Sequence, residues 1–225
     1  MKYCTNCIQP DTRPNTKFLR NGLCPACNYF TKLQDVDWHE RFEILQRLVR
    51  RNKRTNNSKF DCIIGVSGGK DSTRQALFIR DKLKLKPLLV SLAYPPEQLT
   101  ERGARNISNL IELGFDMVIS NPAPVRWKFL MRESFLRFTN YAVSTELALF
   151  SAVPQIAMHY GINLIMWGEN PGLQLGDLGT LGRNGYDGNN LRNMNTLKGG
   201  APEWMLELGF TKNQLKPYFY PSYNV

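Results

Sequence analysis

The alternation of strands and helices after residue 60 constrains the fold of this chain most. Four short apolar runs are typical of buried strands: FDCIIGV, PLLVSLA, FDMVIS and INLIMW at 60–66, 87–93, 115–120 and 162–167. Helical patterns lie between or beside them, at about 72–84, 100–113, 126–138 and 144–160, the last predicted to be interrupted by Pro154. Continuous apolar strands alternating with helices favour a parallel sheet covered on both faces. The prediction is an α/β, Rossmann-like parallel sheet over 60–225.

A glycine-rich loop leaves the first predicted strand and opens a helix. Its sequence is Ser67-Gly68-Gly69-Lys70-Asp71-Ser72. In that position glycines let backbone N–H groups approach a phosphate, the helix N-terminus adds positive potential, and Lys70 adds a point charge. The GxxxxGK[ST] spacing of a Walker A loop is absent, and Asp71 follows the lysine. The pattern predicts an anion site of another type.

Four of the five cysteines form two CxxC pairs near the N-terminus, at Cys4, Cys7, Cys24 and Cys27. The 16 residues between the pairs are rich in turn formers and cannot bury a core, so a metal must hold this segment together. The spacing predicts a zinc-ribbon-like module over 1–34 with a closed, structural Zn²⁺ site, although an iron–sulfur cluster could use the same ligands. The fifth cysteine, Cys62, lies inside the first strand and is predicted to be a buried structural thiol.

A helix and a linker are predicted over 35–59, between the cysteine segment and the sheet. Apolar residues recur at helical spacing over 35–51, namely Trp38, Phe42, Leu45 and Val49. Asp35 and Asp37 are placed to cap the start of this helix. The polar, basic stretch 50–59 is predicted to be the linker.

Composition is ordinary for a globular protein and excludes collagenous, low-complexity or wholly disordered chains. The net charge is +10, and a zinc tetrathiolate would lower it to about +8. Such a charge suits an anionic partner, whether a nucleotide, a nucleotide-sugar or RNA. The cluster Arg47, Arg50, Arg51, Lys53 and Arg54 is more typical of a solvated helix end than of a binding patch. No membrane span or signal peptide is recognisable, so a cytoplasmic protein without a membrane partner is expected.

Residues 168–200 hold nine of the 17 glycines and are predicted to form a long active-site loop. Glu169 follows the last strand at the carboxyl edge of the sheet, where ligands of α/β folds bind, so it is a candidate metal ligand or substrate contact. The candidate sugar-binding residues are polar: Asn170, Asp177, Asp187, Asn189, Asn190, Arg192 and Asn195.

The sequence SGGKDS after a buried strand resembles the PP-loop, or N-type, ATP pyrophosphatases. The resemblance implies that ATP is split between its α- and β-phosphates with Mg²⁺, and that AMP is left on a substrate oxygen. It implies nucleotide-binding roles for Ser67, Gly68, Gly69, Lys70, Asp71, Ser72 and Gly168. It also makes Lys70, Asp71 and Glu169 the candidate catalytic residues, with Asp71 helping to hold the Mg²⁺.

An ordered set of further motifs narrows this resemblance. The cysteine module and SGGKDS are followed by segments at 110–116, 144–149, 168–170, 175–177, 186–190, 195–197 and 220–222. The series resembles the N-acetyl sugar amidotransferases of lipopolysaccharide O-antigen and flagellin-glycan synthesis. That implies conversion of an acetamido group on a nucleotide-activated sugar into an acetamidino group. It also implies a separate glutaminase subunit that supplies ammonia (HisH-like, with or without a HisF-like protein). Members of that family continue well beyond Tyr220-Pro221-Ser222, so ATP binding is expected more firmly than full turnover.

Parts of the sequence are also compatible with two other functions. A tRNA-thiolating enzyme can also join CxxC pairs to a PP-loop, and it would explain the positive charge. Sulfur transfer by the usual routes needs further cysteines near the site, and only Cys62 is spare, so nucleic acid is the less favoured partner. A non-enzymatic zinc-ribbon adaptor is weaker still, because the loop keeps Lys70 and Asp71.

Overall fold

The computed structural model describes residues 1–12, 16–95, 99–168, 181–182, 185–186 and 202–221. Within them the chain divides into two compact units. One contains residues 1–43, 181–182 and 185–186, and the other contains residues 44–168 and 202–221. The boundaries predicted from sequence at 34 and 59 stay predictions.

The N-terminal segment contains the cysteines and two helices. Helix α1 covers Pro25–Lys32, a 3₁₀ turn covers Leu33–Asp35, and α2 covers Trp38–Thr55. The Asp37 carboxylate accepts hydrogen bonds from the backbone N–H groups of His39 and Glu40, at 2.9 and 3.0 Å, and so caps α2. Asp35, the other predicted cap, lies in the 3₁₀ turn. The predicted linker at 50–59 is wrong in its first half, because arginine and lysine favour helix and α2 continues to Thr55.

A four-stranded parallel sheet forms the centre of the second unit. Its strands are β1 Cys62–Gly65, β2 Pro87–Leu92, β3 Asp116–Ser120 and β4 Ile165–Met166, in the order β3-β2-β1-β4. Ile63 pairs in register with Leu88 of β2 and with Ile165 of β4. The predicted Rossmann-like α/β fold is confirmed. Strand order reverses at β1, and ligands of such sheets bind at the carboxyl end of the strand where this happens.

The helices that connect the strands follow the predicted positions closely. They are α3 Lys70–Asp81, α4 Glu101–Glu112, α5 Pro124–Phe138 and α6 Ala142–His159. The predicted interruption at Pro154 is wrong, because α6 runs through it. Pro154 is buried, and its neighbours Val153 and Ala157 pack in the core against β1 and β2, which outweighs the cost of proline in a helix. None of the described helices is both long and apolar enough to cross a bilayer.

The remaining described elements are short. Strands β5 Leu181–Gly182 and β6 Gly185–Tyr186 pair antiparallel. A 3₁₀ segment covers Pro202–Leu208, a short α-helix covers Lys212–Leu215, and a 3₁₀ turn covers Lys216–Tyr218. The short helix starts with a capping box between Thr211 and Gln214.

Two apolar clusters stabilise the second unit. The first lies between the sheet and α6 and includes Phe60, Ile63, Leu88, Val90, Ala152, Val153, Ala157 and Ile162. The second joins α5 and α6 to the C-terminal short elements and includes Trp127, Leu130, Ala148, Trp204, Met205, Leu215 and Tyr218. Gln155 of α6 donates to the carbonyls of Lys216 and Phe219, both at 2.6 Å, and so fixes the last described segment to the core.

Substitutions of Leu130 and Leu136, both in α5, test the packing of this second cluster. Leu130 is fully buried in it, whereas Leu136 is 61% exposed. We expect Leu130→Ala to lower the free energy of unfolding by about 2–5 kcal/mol, because it removes packed atoms and leaves a cavity. Leu136→Ala is the control and should change it by less than about 0.5 kcal/mol. Urea unfolding followed by circular dichroism measures both, and equal effects would contradict the described packing of α5.

Candidate phosphate-binding site and cysteine cluster

The glycine-rich sequence Ser67–Ser72 begins in the four residues, 66–69, that connect β1 to α3 and ends in the first turn of α3. The Val66 N–H donates to the Val90 carbonyl at 2.8 Å, so the chain keeps its contact with β2 one residue beyond the end of β1. The Gly69 N–H then donates to Ser67 Oγ at 3.3 Å. Thr73 Oγ1 donates back to the Gly68 carbonyl at 3.4 Å, and Ser72 Oγ donates to the Gly69 carbonyl at 3.1 Å. These bonds fix the loop to the first turn of α3.

Gly68 is the position in the loop that requires glycine. Its φ is +76°, in the left-handed region that side chains disfavour. A Cβ at this position would lie 2.7 Å from the backbone carbonyl carbon and oxygen of Asn106 in α4. Gly69 differs, because its φ is −68° and an added Cβ would meet only Ser67 Oγ, at 3.4 Å. The close approach of Gly68 to α4 therefore sets the course of the loop.

The N-terminus of α3 has the properties of an anion site. Gly69 is its N-cap and provides no side-chain cap, and the first N–H groups of a helix have no partner within the helix. Lys70 and Asp71 follow, with side chains 91% and 89% exposed and 3.6 Å apart. An exposed pair of this kind is weak, so both side chains are available to a ligand.

A groove of about 610 Å³ lies between α3 and α4, beside the loop. It is lined by Gly68, Lys70, Thr73, Arg74, Leu77, Phe78, Asp81, Lys82, Asn106 and Asn109. Asp81 is held by Arg80 at 2.8 Å, and this hydrogen bond lowers the pKa of the Asp81 carboxyl. Three cations face one engaged carboxylate, so the groove suits an anionic ligand, and its volume is that of a small-molecule site.

Gln75 joins the loop helix to the end of β4. Its Nε2 donates to the Met166 carbonyl at 3.3 Å, and its Oε1 is buried without a hydrogen-bond partner among the described residues. A Cβ on Gly168 would collide with this Oε1, so Gly168 and the Gln75 side chain are in close contact. The structure thus brings Gly168, predicted at the nucleotide site, next to α3. Neither Gln75 nor Asn106 was singled out from sequence, since no motif includes them.

Several predicted site residues lie outside the described residues. They are Glu169, Asn170, Asp177, Asp187, Asn189, Asn190, Arg192 and Asn195. Their assignment to the metal, the substrate and the sugar stays a prediction.

The four N-terminal cysteines form one cluster. All four Sγ atoms lie within 4.8 Å of one another, and those of Cys7 and Cys24 are 3.8 Å apart. Four sulfurs placed tetrahedrally at the Zn–S bond length of about 2.3 Å are about 3.8 Å apart. Sulfurs bound to an iron–sulfur cluster stand farther apart, because several atoms lie between them. The spacing is compatible with a structural zinc site.

Backbone N–H groups surround the sulfurs of this cluster. Cys4 Sγ accepts from the N–H groups of Cys24 and Asn6 at 3.1 and 3.5 Å, and Cys24 Sγ accepts from the Cys27 N–H at 3.4 Å. Such bonds stabilise thiolates, which are the form that binds metal. Cys62 lies apart from the cluster, fully buried in β1 as predicted, and burial raises the pKa of its thiol to about 12.

Comparison with solved structures gives distant neighbours, among them two synthetases. An NMN synthetase from Francisella tularensis matches with 19% identity and a TM-score of 0.42, over 56% of this chain and 53% of that one. An NH3-dependent NAD synthetase from Campylobacter jejuni matches with 17% identity and a TM-score of 0.47, over 83% of this chain and 90% of that one. No protein-family model and no curated protein matches the sequence. Likenesses this distant assign neither a substrate nor a residue role to this chain.

Proposed function

We propose that this chain is an ATP-dependent N-acetyl sugar amidotransferase, a carbon–nitrogen ligase that forms AMP and pyrophosphate. The phosphate loop carries the proposal. Its glycine at positive φ packs on α4, the N-terminus of α3 has no side-chain cap, and Lys70 lies at that N-terminus. The SGGKDS sequence and its place after the first strand resemble the PP-loop ATP pyrophosphatases. The specific substrate rests on the resemblance of the whole motif series.

ATP would be bound with its β- and γ-phosphates against Ser67–Ser72. Backbone N–H groups of the first turn of α3 and the Lys70 ammonium would neutralise charge on the departing pyrophosphate. The Asp71 carboxylate is exposed beside Lys70, and carboxylate oxygens are the ligands that Mg²⁺ prefers, so these residues fit a Mg²⁺–ATP complex. Gly168, held beside Gln75 at the end of β4, would line the other side of the nucleotide site.

The proposed chemistry activates a poor electrophile. The acetamido oxygen of the sugar attacks the α-phosphorus of ATP, the bond to the bridging oxygen breaks, and pyrophosphate leaves. Ammonia then adds to the carbon of the resulting imidate, the carbon–oxygen bond breaks, and AMP departs with that oxygen, leaving an acetamidino group. Because the enzyme supplies no covalent group to either step, its work is alignment, charge stabilisation and exclusion of water.

The groove between α3 and α4 supports a second anionic ligand near the loop. Arg74 would pair with the phosphates of a nucleotide-sugar, while the amides of Asn106 and Asn109 can bond sugar or base groups. The sugar-binding residues predicted from sequence in 168–200 lie outside the described residues and remain a separate prediction.

The cysteine usage supports a separate source of ammonia. Glutamine hydrolysis of the usual kind needs a nucleophilic cysteine with a basic partner. Four cysteines belong to the cluster, and Cys62 is buried with its thiol pKa raised to about 12. We therefore include a glutaminase partner subunit in the proposal. The same burial of Cys62 argues against tRNA thiolation, because a persulfide carrier must be accessible.

Release of AMP and pyrophosphate from ATP and Mg²⁺ tests the proposed function. Ammonium chloride replaces the glutaminase, and a panel of acetamido nucleotide-sugars is compared with unmodified tRNA. We expect sugar-dependent AMP release, with mass spectrometry showing one oxygen replaced by NH on the sugar. AMP release that depends on tRNA instead would overturn the proposal.

The variant Lys70→Ala tests whether release of AMP depends on the phosphate loop. We expect it to lower kcat for AMP release by about 10²–10³-fold, the usual loss when a charge-stabilising donor is removed. Lys212→Ala removes an exposed lysine of the short C-terminal helix and is the matched control, which should keep full activity. Equal activity of the two variants would show that the reaction does not use the loop.

A further inference from the structure

Almost all of the net positive charge of this chain comes from two short segments. Residues 47–59 contain six arginines and lysines and no acid, and residues 80–86 contain four and one aspartate. Together they carry a net charge of +9, against +10 for the whole chain. The other residues are nearly balanced, so the charge is local and not a general property of the surface.

The fold joins the two segments into one surface within the second unit. Lys53 Nζ of α2 donates to the Lys84 carbonyl at 2.9 Å, which links the end of the helix to the turn before β2. Lys59 Nζ and Lys86 Nζ lie 4.8 and 5.4 Å from the centroid of the same ring, that of Phe60. We call the surface of residues 47–59 and 80–86 the basic edge.

The local sequence explains why the lysines of the turn are exposed together. In Lys82-Leu83-Lys84-Leu85-Lys86 the leucines are buried, 9% and 3% exposed, whereas all three lysines are exposed. Lys84 has a φ of +54°, an unusual value for a side chain, at the turn that ends α3. The two buried leucines therefore fix a turn that presents three ammonium groups to solvent.

The nearby carboxylates do not neutralise this surface. Asp61 lies 3.7 Å from Lys53 Nζ and accepts a hydrogen bond from the Lys86 backbone N–H at 2.7 Å. Asp81 is bound by Arg80. Asp116 is the third carboxylate nearby, in a shallow cavity shared with Lys84 and Lys86. When Arg47, which has a partner of its own, is set aside, the two segments hold nine cations against these three carboxylates.

The basic edge is separate from the phosphate loop. Lys59 and Phe60 precede β1, and Lys86 directly precedes β2, whereas the loop follows β1. The basic edge therefore lies at the amino ends of the strands and the loop at their carboxyl ends. The four residues of β1 alone separate the two by about 13 Å.

We propose that the basic edge binds the phosphodiester backbone of a nucleic acid. A concentration of cations on one surface suits the closely spaced phosphates of a nucleic acid, and neutralising each phosphate releases counterions, which drives binding. Tyr160 is 40% exposed and its ring lies 6.1 Å from that of Phe60, so a half-exposed aromatic face adjoins the lysines. Among the large apolar side chains of the two segments only Leu48 is exposed, too little for insertion into a lipid surface. This inference is independent of the amidotransferase proposal.

Fluorescence anisotropy with a labelled RNA hairpin and a labelled DNA duplex tests the basic edge. The combined variant Lys59→Gln, Lys84→Gln, Lys86→Gln is compared with Lys32→Gln, Lys128→Gln, Lys212→Gln, which removes the same charge elsewhere. We expect the first variant to raise Kd at least about 10-fold and to reduce the slope of log K against log salt by about 2–3. The control should follow the wild type, and saturating ATP should not displace the nucleic acid, because the two sites are apart.

Lysine acetylation with and without RNA gives a test that uses only the wild-type chain. Mass spectrometry should show protection of Lys59, Lys82, Lys84 and Lys86 and none of Lys32 or Lys212. No binding at 50 mM salt, equal loss in both variants, or a preference for vesicles of anionic lipid or an acidic polypeptide over both nucleic acids would overturn the proposal. Failure of either test leaves the amidation assay, which contains no RNA in its sugar arm, unaffected.

Discussion

Gly68→Ala should lower the rate of AMP release from ATP by about 10²-fold while the protein stays folded. The added methyl group would lie 2.7 Å from the Asn106 backbone, which cannot move without shifting α4. The left-handed φ of +76° adds a further cost of about 1–2 kcal/mol for a side chain. The loop must therefore shift to relieve this contact, and the shift misaligns the phosphates of bound ATP. A misplacement of about 1 Å lowers the rate by about 10²-fold. Pyrophosphate release and thermal unfolding measure the two effects.

Two further glycine variants distinguish the effect of the contact with Asn106 from the effect of the positive φ at Gly68. Gly114 has a φ of +85° with nothing within 4 Å of an added Cβ, so Gly114→Ala measures the cost of positive φ alone. Gly69→Ala adds a methyl at negative φ and should change stability little. We expect Gly68→Ala to lose more stability than Gly114→Ala, and only the former to lose turnover. Full turnover in Gly68→Ala would contradict the view that α4 sets the course of the loop.

Local sequence patterns predicted the sheet because its two central strands, β1 and β2, are buried and therefore apolar throughout. The four apolar runs coincide with β1 to β4, although the outer strands β3 and β4 are only partly buried. The glycine-rich loop was recognisable because its strand–loop–helix context is also local. Pro154 and the basic end of α2 were predicted wrongly, because packing of α6 against the sheet and helix-favouring arginines outweighed the local breaker and the polar composition.

Contacts between residues distant in sequence could not be predicted. Gly68 meets Asn106, and Gln75 meets Met166 and Gly168, across separations that no periodicity encodes. The basic cluster in α2 was interpreted as a solvated helix end for the same reason. Only the fold shows that Lys53 reaches Lys84 and that Lys59 and Lys86 share one ring. The two basic segments are separate in the sequence, and they form one surface because the turn before β2 lies beside the end of α2.

One zinc ion per chain is the expected metal content, and Cys24→Ser should remove it. Cys24 is 1% exposed, its Sγ lies 3.8 Å from that of Cys7, and it is the N-cap of α1, so its loss affects both the metal and the helix start. Structural zinc in small Cys-rich units contributes about 10–16 kcal/mol of binding free energy that is also folding free energy. The segment between the pairs has few apolar residues to replace it. Residues 1–34 should therefore become sensitive to proteolysis while the sheet stays folded.

Cys62→Ala is the matched control for the metal site, because Cys62 is the one cysteine outside the cluster. It should destabilise the sheet, where the thiol is fully buried, and leave the zinc content at one per chain. Elemental analysis by mass spectrometry and limited proteolysis measure the two readouts in both variants. Iron with a visible absorption band would contradict zinc, since Zn²⁺ has a filled d shell and no such band. Zinc retained by Cys24→Ser would show instead that three thiolates suffice, and the cluster would then resemble an open site more than a closed structural one.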